Sequence, residues 1–263
     1  MSKRPERPRT VSLIQMPPIL NAQSVTKQFG ATPLFKNINL TVEDGDRIGL
    51  IGPNGAGKST LINLLTGFLT PDSGSILFQG RDITHLPIYR RVRQGLCRSF
   101  QVANIFPNLT VLQNVTIPAL AARRRGHCLF GRVERETAHS HDAKQMLERI
   151  GLGSAAHSPA CALSHGDQRL LEVGIAMAAR PQLLFLDEPT AGMNPVERTK
   201  ILGNIRQLAE DGAITFVIVE HDMDVVFSLS DRVVALNHGE IIGDGTPDEI
   251  QSNPKVREVY LGE

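Results

Sequence analysis

The stretch that decides the fold of this chain is Gly52-Pro53-Asn54-Gly55-Ala56-Gly57-Lys58-Ser59-Thr60. It fits G-x-x-x-x-G-K-[ST], a pattern whose backbone N–H groups cradle phosphate oxygens. The pattern requires a strand before it and a helix after it, and the sequence predicts a strand over residues 47–51 and a helix over residues 59–65. We therefore expect a phosphate-binding loop, with Lys58 at the β- and γ-phosphates and Ser59 at Mg²⁺.

Three glycines of this stretch, Gly52, Gly55 and Gly57, are expected to let the backbone curl, because a residue without Cβ tolerates a positive φ. The free N–H groups and the positive dipole end of the following helix would add to the attraction for phosphate. The alternative is a glycine-rich turn with an accidental lysine, which leaves the spacing and the strand–helix setting unexplained.

Length and composition indicate an ordinary globular protein. The chain has 263 residues, of which 41% are hydrophobic and 21% charged, enough for one large domain or for one domain with an inserted subdomain. The formal net charge of +1 gives no argument for a nucleic-acid partner, and the apolar runs are too short for a membrane span. The three cysteines form no C-x-x-C pair, which favours a reducing compartment over a disulfide framework.

Alternating strands and helices predict a parallel sheet, with a small antiparallel region near the start of the chain. Residues 1–18 are expected to be a disordered basic tail and residues 19–263 a single domain. A helical subdomain is expected over about residues 104–161, inserted in the α/β core, and a C-terminal helix over about residues 246–263. Three arginines are expected on a solvated helix face, with a contact to acidic lipid or an acidic partner as the alternative: Arg90, Arg91 and Arg93.

Two carboxylates, Asp187 and Glu188, end an apolar strand predicted over residues 183–186. At the ligand edge of a parallel sheet, one can hold Mg²⁺ through water while the other orients and deprotonates an attacking water. His221 ends the next apolar strand, where it could hydrogen-bond a γ-phosphate and position Glu188. The alternatives are a surface acidic turn and a structural histidine.

The run Leu163-Ser164-His165-Gly166-Asp167-Gln168 opens a predicted helix. Its Ser164 and Gly166 could complete a nucleotide pocket of a neighbouring subunit, because a helix N-terminus attracts anions. The alternative is a plain capping box from Ser164 to Asp167. Phe29 precedes a polar turn, where its ring could stack on a base or belong to the core.

These parts, in this order, resemble the ATP-binding cassette of ABC transporters over residues 19–263. The resemblance implies an α/β fold: a P-loop ABC ATPase cassette with a RecA-like parallel-sheet core, an antiparallel β subdomain and an inserted helical subdomain. It implies ATP and Mg²⁺ as ligands. The residues that it assigns to ATP are Phe29, Gly52, Pro53, Asn54, Gly55, Ala56, Gly57, Lys58, Ser59, Thr60, Gln101, Ser164, Gly166 and Asp187.

The same resemblance implies individual roles. Glu188 corresponds to the catalytic base, with His221 as the switch histidine and Lys58 as the third catalytic residue. The metal ligands it implies are Ser59, Asp187 and Gln101, which resembles the Q-loop glutamine. The residues 163–168 correspond to the signature and 191–194 to the D-loop.

Two departures from the family pattern bear on the site. The signature is usually L-S-G-G-Q, whereas here Asp167 puts a carboxylate where a γ-phosphate is expected, unless it faces away or is screened. We expect Ser164 and Gly166, and not Asp167, to contact nucleotide. Asn194 stands where an aspartate is common, which removes a charge from the dimer seam.

A finer resemblance is to the branched-chain amino acid uptake group, which includes urea and amide importers. It is carried by Arg98-Ser99-Phe100-Gln101, by Ile105-Phe106-Pro107-Asn108-Leu109-Thr110-Val111, by the run over residues 191–195, and by the ending Val259-Tyr260-Leu261-Gly262-Glu263. It implies an ATP-hydrolysing subunit of an importer for a small polar solute, peripheral on the cytoplasmic face of the inner membrane.

The partners implied are a second cassette in a head-to-tail ATP sandwich, transmembrane permease subunits and, indirectly, a solute-binding protein, with no nucleic acid. Residues 102–125 are expected to dock the coupling helix of the permease. Three alternatives stay open: a lipid or lipopolysaccharide exporter cassette, a soluble ABC ATPase acting on ribosomes or DNA, and a P-loop kinase of a small metabolite.

Overall fold

The computed structural model describes residues 17–30, 32–99, 105–122, 137–210 and 214–261 of the chain. The predictions for residues 1–16 of the basic tail, for Gln101 and for the two ends of the expected docking segment, residues 102–104 and 123–125, lie outside these ranges.

A six-stranded sheet forms the centre of the molecule, in the order β10-β9-β3-β8-β7-β6. Its strands from β9 to β6 run parallel, and β10 joins the edge as the antiparallel arm of a hairpin with β9. All residues of β7 and β8 are buried, as their continuous apolar runs predict. The strands are β3 (Arg47–Ile51), β6 (Leu96–Ser99), β7 (Leu183–Asp187), β8 (Thr215–Val219), β9 (Arg232–Asn237) and β10 (Glu240–Gly245).

A second, four-stranded sheet is antiparallel, in the order β2-β1-β4-β5. Its strands are β1 (Leu20–Phe29), β2 (Thr32–Val42), β4 (Ser73–Phe78) and β5 (Arg81–Asp82). Apolar side chains from both sheets share one buried cluster with the helix that follows β3. The mixed parallel and antiparallel architecture confirms the predicted fold class.

Nine helices are present within the described ranges: α1 (Lys58–Thr66), α2 (Ile88–Arg93), α3 (Val111–Ala122), α4 (Thr137–Arg149), α5 (His165–Ala178), α6 (Pro195–Glu210), α7 (Met223–Leu229), α8 (Pro247–Ser252) and α9 (Pro254–Leu261). A second buried cluster joins side chains of α3, α4 and α5 to the outer strands β6 and β7. The helical part of the chain therefore packs on one side of the sheet whose strand ends carry the candidate site.

The expectation of a solvated face for all three arginines of α2 is wrong for Arg91, which is only 1% exposed. Its guanidinium donates to the carbonyl oxygens of Leu64 and Leu65 at 2.9 and 2.8 Å, and to those of Leu86 and Thr84. The first two carbonyls belong to the last turn of α1, where helix carbonyls run out of i+4 donors, and Leu64 O also accepts from the N–H of Gly67 at 3.3 Å. Arg91 thus caps α1 from a neighbouring element.

The single C-terminal helix predicted over residues 246–263 is interrupted in the structure. Asn253 adopts an extended conformation, with φ −70° and ψ 118°, between α8 and α9. The cause is Pro254, whose ring disfavours the helical conformation at the preceding residue. The segment therefore forms two short helices, α8 and α9. The side chains of Ile250 in α8 and Val256 in α9 are buried against the β9–β10 hairpin.

Candidate active site

The phosphate-binding loop connects β3 to α1, as predicted from the sequence. Gly55 and Gly57 adopt φ values of 81° and 105°. These backbone conformations are energetically unfavourable for a residue that has a Cβ. The prediction of a positive φ is wrong for Gly52, where glycine is needed because a side chain would not fit. A Cβ on Gly52 would lie 2.4 Å from the carbonyl oxygen of Leu236. Two glycines therefore allow the loop its left-handed backbone conformations, and the third allows its close approach to the carbonyl oxygen of Leu236.

The start of α1 offers its backbone N–H groups without a competing side chain. Gly57 is its N-cap and makes no side-chain capping bond, and no acidic residue lies in the first turn. The Lys58 ammonium donates to the carbonyl oxygens of Gly52 and Pro53, which holds it inside the loop. Burial lowers the pKa of Lys58, while the nearby charges of Glu188 and Asp187 act in the opposite direction. The loop is a concave, positively polarised anion site.

A cavity of about 410 Å³ opens over this loop. The Phe29 ring borders it and is 54% exposed, so the alternative of a core phenylalanine is wrong. The cavity is lined by Phe29, Leu34, Pro53, Asn54, Gly55, Ala56, Gly57, Lys58, Ser59, Thr60, Glu188 and His221. The volume of the cavity and the aromatic ring at its border suit a nucleotide.

Glu188 and His221 meet across the carboxyl ends of the neighbouring strands β7 and β8. His221 Nε2 lies 2.7 Å from Glu188 Oε1, and because a carboxylate only accepts, the imidazole nitrogen carries the proton of this hydrogen bond. Glu188 has a φ of 46°, an uncommon conformation for a residue with a Cβ, and its N–H donates to Val219 O at 2.9 Å. Backbone strain of this kind clusters at functional sites.

Asp187 ends β7 one residue earlier and is not among the residues that line the cavity. Its side chain is 3% exposed, and Arg98 Nη2 donates to its Oδ2 at 2.5 Å. The other Arg98 nitrogen, Nη1, donates to Asn63 Oδ1 at 2.5 Å. Asn63 lies one turn after Ser59 on the same face of α1. Arg98 thus ties together the two described elements that carry candidate metal ligands, a role that sequence reasoning missed.

Glu220 is a second residue that sequence reasoning missed. It is buried directly before His221, and its carboxylate accepts from the backbone N–H and the hydroxyl of Thr190, at 2.9 and 2.6 Å. These bonds fix the turn that follows Glu188 against the end of β8. The signal in the sequence is a charged residue immediately after four apolar strand residues, 216–219.

The signature residues lie on a different surface, at the N-terminus of α5. Ser164 is the N-cap, and its hydroxyl accepts from Asp167 N at 3.1 Å, as the capping alternative predicts. Neither Ser164 nor Gly166 lines the cavity over the phosphate loop. Asn194 caps the neighbouring helix α6, where its Oδ1 accepts from the backbone N–H groups of Val196 and Glu197 at 3.0 Å.

A glycine-rich loop on a buried parallel strand, with a carboxylate and an imidazole at adjacent strand ends, defines a nucleotide-hydrolysing P-loop protein. Comparisons with known proteins narrow this class. The model of the ABC transporter family matches residues 35–191, and a model described as branched-chain amino acid ATP-binding cassette transporter matches residues 240–263. The chain belongs to the ABC transporter family and is one of its ATP-binding cassettes, an ATPase that binds ATP.

Relatives of similar length support the same family. The chain is 38% identical to the high-affinity branched-chain amino acid transport ATP-binding protein BraF of Pseudomonas aeruginosa, over 94% of this chain and 98% of the relative. It is 37% identical to LivG of Escherichia coli, which carries the same description, with the same coverage of both chains. The predicted resemblance to the branched-chain amino acid group is confirmed.

Solved structures confirm the fold. A crystal structure of the ADP conformation of an ATP-binding cassette of an ABC transporter superposes with a TM-score of 0.82, at 33% identity, over 94% of this chain and 99% of that one. A nucleotide-free cassette superposes with a TM-score of 0.80. Among the described residues, no helix combines the length and the apolar character needed to cross a membrane.

Proposed function

We propose that this chain is the ATP-hydrolysing subunit of an importer for branched-chain amino acids or for a related amino acid, urea or amide. The observation that carries the proposal is the Glu188–His221 pair at the border of the phosphate-loop cavity. The solute class rests on BraF and LivG, whose names describe branched-chain amino acid transport. These relatives give no support to a lipid exporter or to a soluble non-transport ATPase.

The chemistry of hydrolysis follows from these positions. The loop N–H groups and Lys58 hold the β- and γ-phosphates, and Phe29 stacks on the adenine. Glu188 accepts a proton from a water, whose oxygen attacks the γ-phosphorus while the bond to the β,γ-bridging oxygen breaks. The His221 Nε2–H orients the Glu188 carboxylate before ATP binds, and it is donated to a γ-phosphate oxygen when ATP is bound. Gln101 contributes to the γ-phosphate and metal shell, as the family resemblance implies.

The donor set fits Mg²⁺ shared with a nucleotide. The described residues contain no cluster of three acidic, histidine or cysteine side chains that would hold a metal alone. A hydroxyl on α1 and a carboxylate at the end of β7 are instead what Mg²⁺ uses when phosphate oxygens and waters complete its shell. Among the described residues, Ser59 and Asp187 would therefore hold the metal, which would neutralise charge on the transferred phosphoryl group.

The separation of the two candidate surfaces supports a sandwich of two cassettes. The cavity carries the phosphate loop, while Ser164 and Gly166 lie outside it on α5. Two chains placed head to tail would bring the signature of each to the ATP of the other. The second cassette is an identical or homologous chain, and closure around ATP drives the permease subunits through the region around residues 102–125. The assembly places the chain peripherally on the cytoplasmic side of the inner membrane, with a solute-binding protein acting indirectly.

Reconstitution with the native permease tests the proposal. The complex is purified from the native membrane, placed in proteoliposomes, and supplied with its binding protein loaded in turn with leucine, isoleucine, valine, urea or acetamide. Phosphate release stimulated by one of these solutes, together with its uptake, is the expected result. Stimulation by lipid, with none of these solutes active, would contradict the import function.

A further inference from the structure

The signature helix carries an acidic residue on the surface that the proposed sandwich turns toward a γ-phosphate. Asp167 lies in the first turn of α5, two residues after His165 and directly after Gly166. Its backbone N–H is bound to the Ser164 hydroxyl, so Asp167 is fixed close to the proposed contact residues. An uncompensated carboxylate there would repel the phosphate.

The structure supplies a counter-charge from another helix. Lys200 Nζ lies 2.7 Å from Asp167 Oδ1, and the two side chains are 49% and 30% exposed. Lys200 belongs to α6, in the second turn after its Asn194 cap. The ammonium group is therefore held beside the signature by a helix whose start is the D-loop.

A second carboxylate, that of Glu197, adds to the negative charge that the Lys200 ammonium offsets. A Cβ built on Gly166 would lie 3.0 Å from Glu197 Cδ, so the Glu197 carboxyl group packs against the signature as well. The arginines nearest in sequence have other partners, since Arg169 binds Glu172 at 2.9 Å and Arg198 binds Asp222. Of the ion pairs described for this surface, the one that reaches the Asp167 carboxylate is that of Lys200.

We propose that Lys200 is a positioning residue of the composite ATP site, which holds the Asp167 carboxylate and offsets its charge where the signature meets the nucleotide of the facing cassette. This inference rests on the proposed ATP sandwich and deepens it. The proposal explains how the signature can contain an aspartate, because the positive charge of Lys200 on α6 offsets the negative charge of Asp167. The pair occurs twice in a symmetric dimer, so its effect on closure is counted twice.

The test measures the ATP concentration that half-saturates dimerisation, by mass in solution, in a Glu188→Gln background with Mg²⁺ present. Adding Lys200→Met is expected to raise that concentration about three- to tenfold, the effect of one unbalanced charge near the surface. Adding Asp167→Asn as well should return it to the parent value. Lys255→Met removes an exposed lysine of α9 and is the matched control, expected to change nothing.

Two further measurements, of ATP affinity and of melting temperature, distinguish the possible outcomes. ATP affinity of the monomer and the melting temperature should match the parent in the Lys200→Met variant, because the pair lies outside the phosphate-loop cavity and is partly exposed. A parent that dimerises and a Lys200→Met variant that dimerises at the same ATP concentration overturn the inference and leave the sandwich intact. A parent that stays monomeric at saturating ATP overturns the self-pairing sandwich, and the role of Lys200 with it.

Discussion

His221 Nε2 and Glu188 Oε1 lie 2.7 Å apart, joining the ends of two adjacent parallel strands at the rim of the nucleotide cavity. The relation depends on the sheet order, in which β8 lies between β3 and β7. It places an imidazole and a carboxylate on the same side as the phosphate loop.

Glu188→Gln is expected to lower ATP turnover at least about 100-fold, since a general base contributes on the order of 10²–10⁴ in rate. ATP binding should be retained, because the amide has the shape of the carboxyl group and the loop is unchanged. Phosphate release and the fluorescence of a nucleotide analogue measure the two effects. Glu240→Gln, at an exposed position of β10, is the control with parental turnover. Undiminished phosphate release would remove Glu188 from the role of base.

His221→Ala is expected to lower kcat about 10- to 100-fold, because both the γ-phosphate hydrogen bond and the orientation of Glu188 are lost. His221→Gln keeps a neutral donor and should recover part of the rate. Steady-state kinetics at saturating ATP provide the comparison. A structural role alone would lower the melting temperature and leave kcat per folded molecule as it was.

Phe29→Ala is expected to weaken ATP binding about 5- to 150-fold, because stacking of an aromatic ring on a base stabilises binding by about 1–3 kcal/mol. Phe29→Tyr should bind like the parent. Inorganic triphosphate, which has no base, should bind both variants equally. Phe106→Ala, another exposed phenylalanine, is the matched control. Equal ATP affinity in all four proteins would show that Phe29 does not contact the base.

Arg91→Met is expected to destabilise the fold by about 3 kcal/mol, because it removes the guanidinium donors from the carbonyl oxygens of Leu64 and Leu65 in α1 and from those of Thr84 and Leu86. Burial lowers the pKa of Arg91 to about 10, so the side chain stays protonated at neutral pH. Urea denaturation measures the free energy of unfolding. Arg93→Met, on the exposed side of the same helix, should change it by less than about 0.5 kcal/mol. Equal stability of the two variants would show that the Arg91 hydrogen bonds do not hold α1.

Local patterns were sufficient for the elements and for most of the site. The phosphate loop, the apolar runs of β7 and β8, and the polar residues at their ends are contiguous in sequence, so periodicity and motif spacing predict them. Since carboxyl ends of parallel strands share one edge, Glu188 and His221 could be expected together before any distance was known. The roles of the individual site residues in binding ATP and Mg²⁺ and in catalysis stay predictions, and Gln101 lies outside the described residues.

The sequence by itself determined the nucleotide loop, the order of strands and helices, and the family. Only the tertiary structure decided which charges meet, because those partners are far apart in the chain. Arg98 reaches Asp187, Arg91 caps α1 and Lys200 pairs with Asp167, and in each case the partner comes from another element. No local pattern encodes such pairs, since a charged side chain on a helix looks alike whether it faces water or a neighbouring helix end.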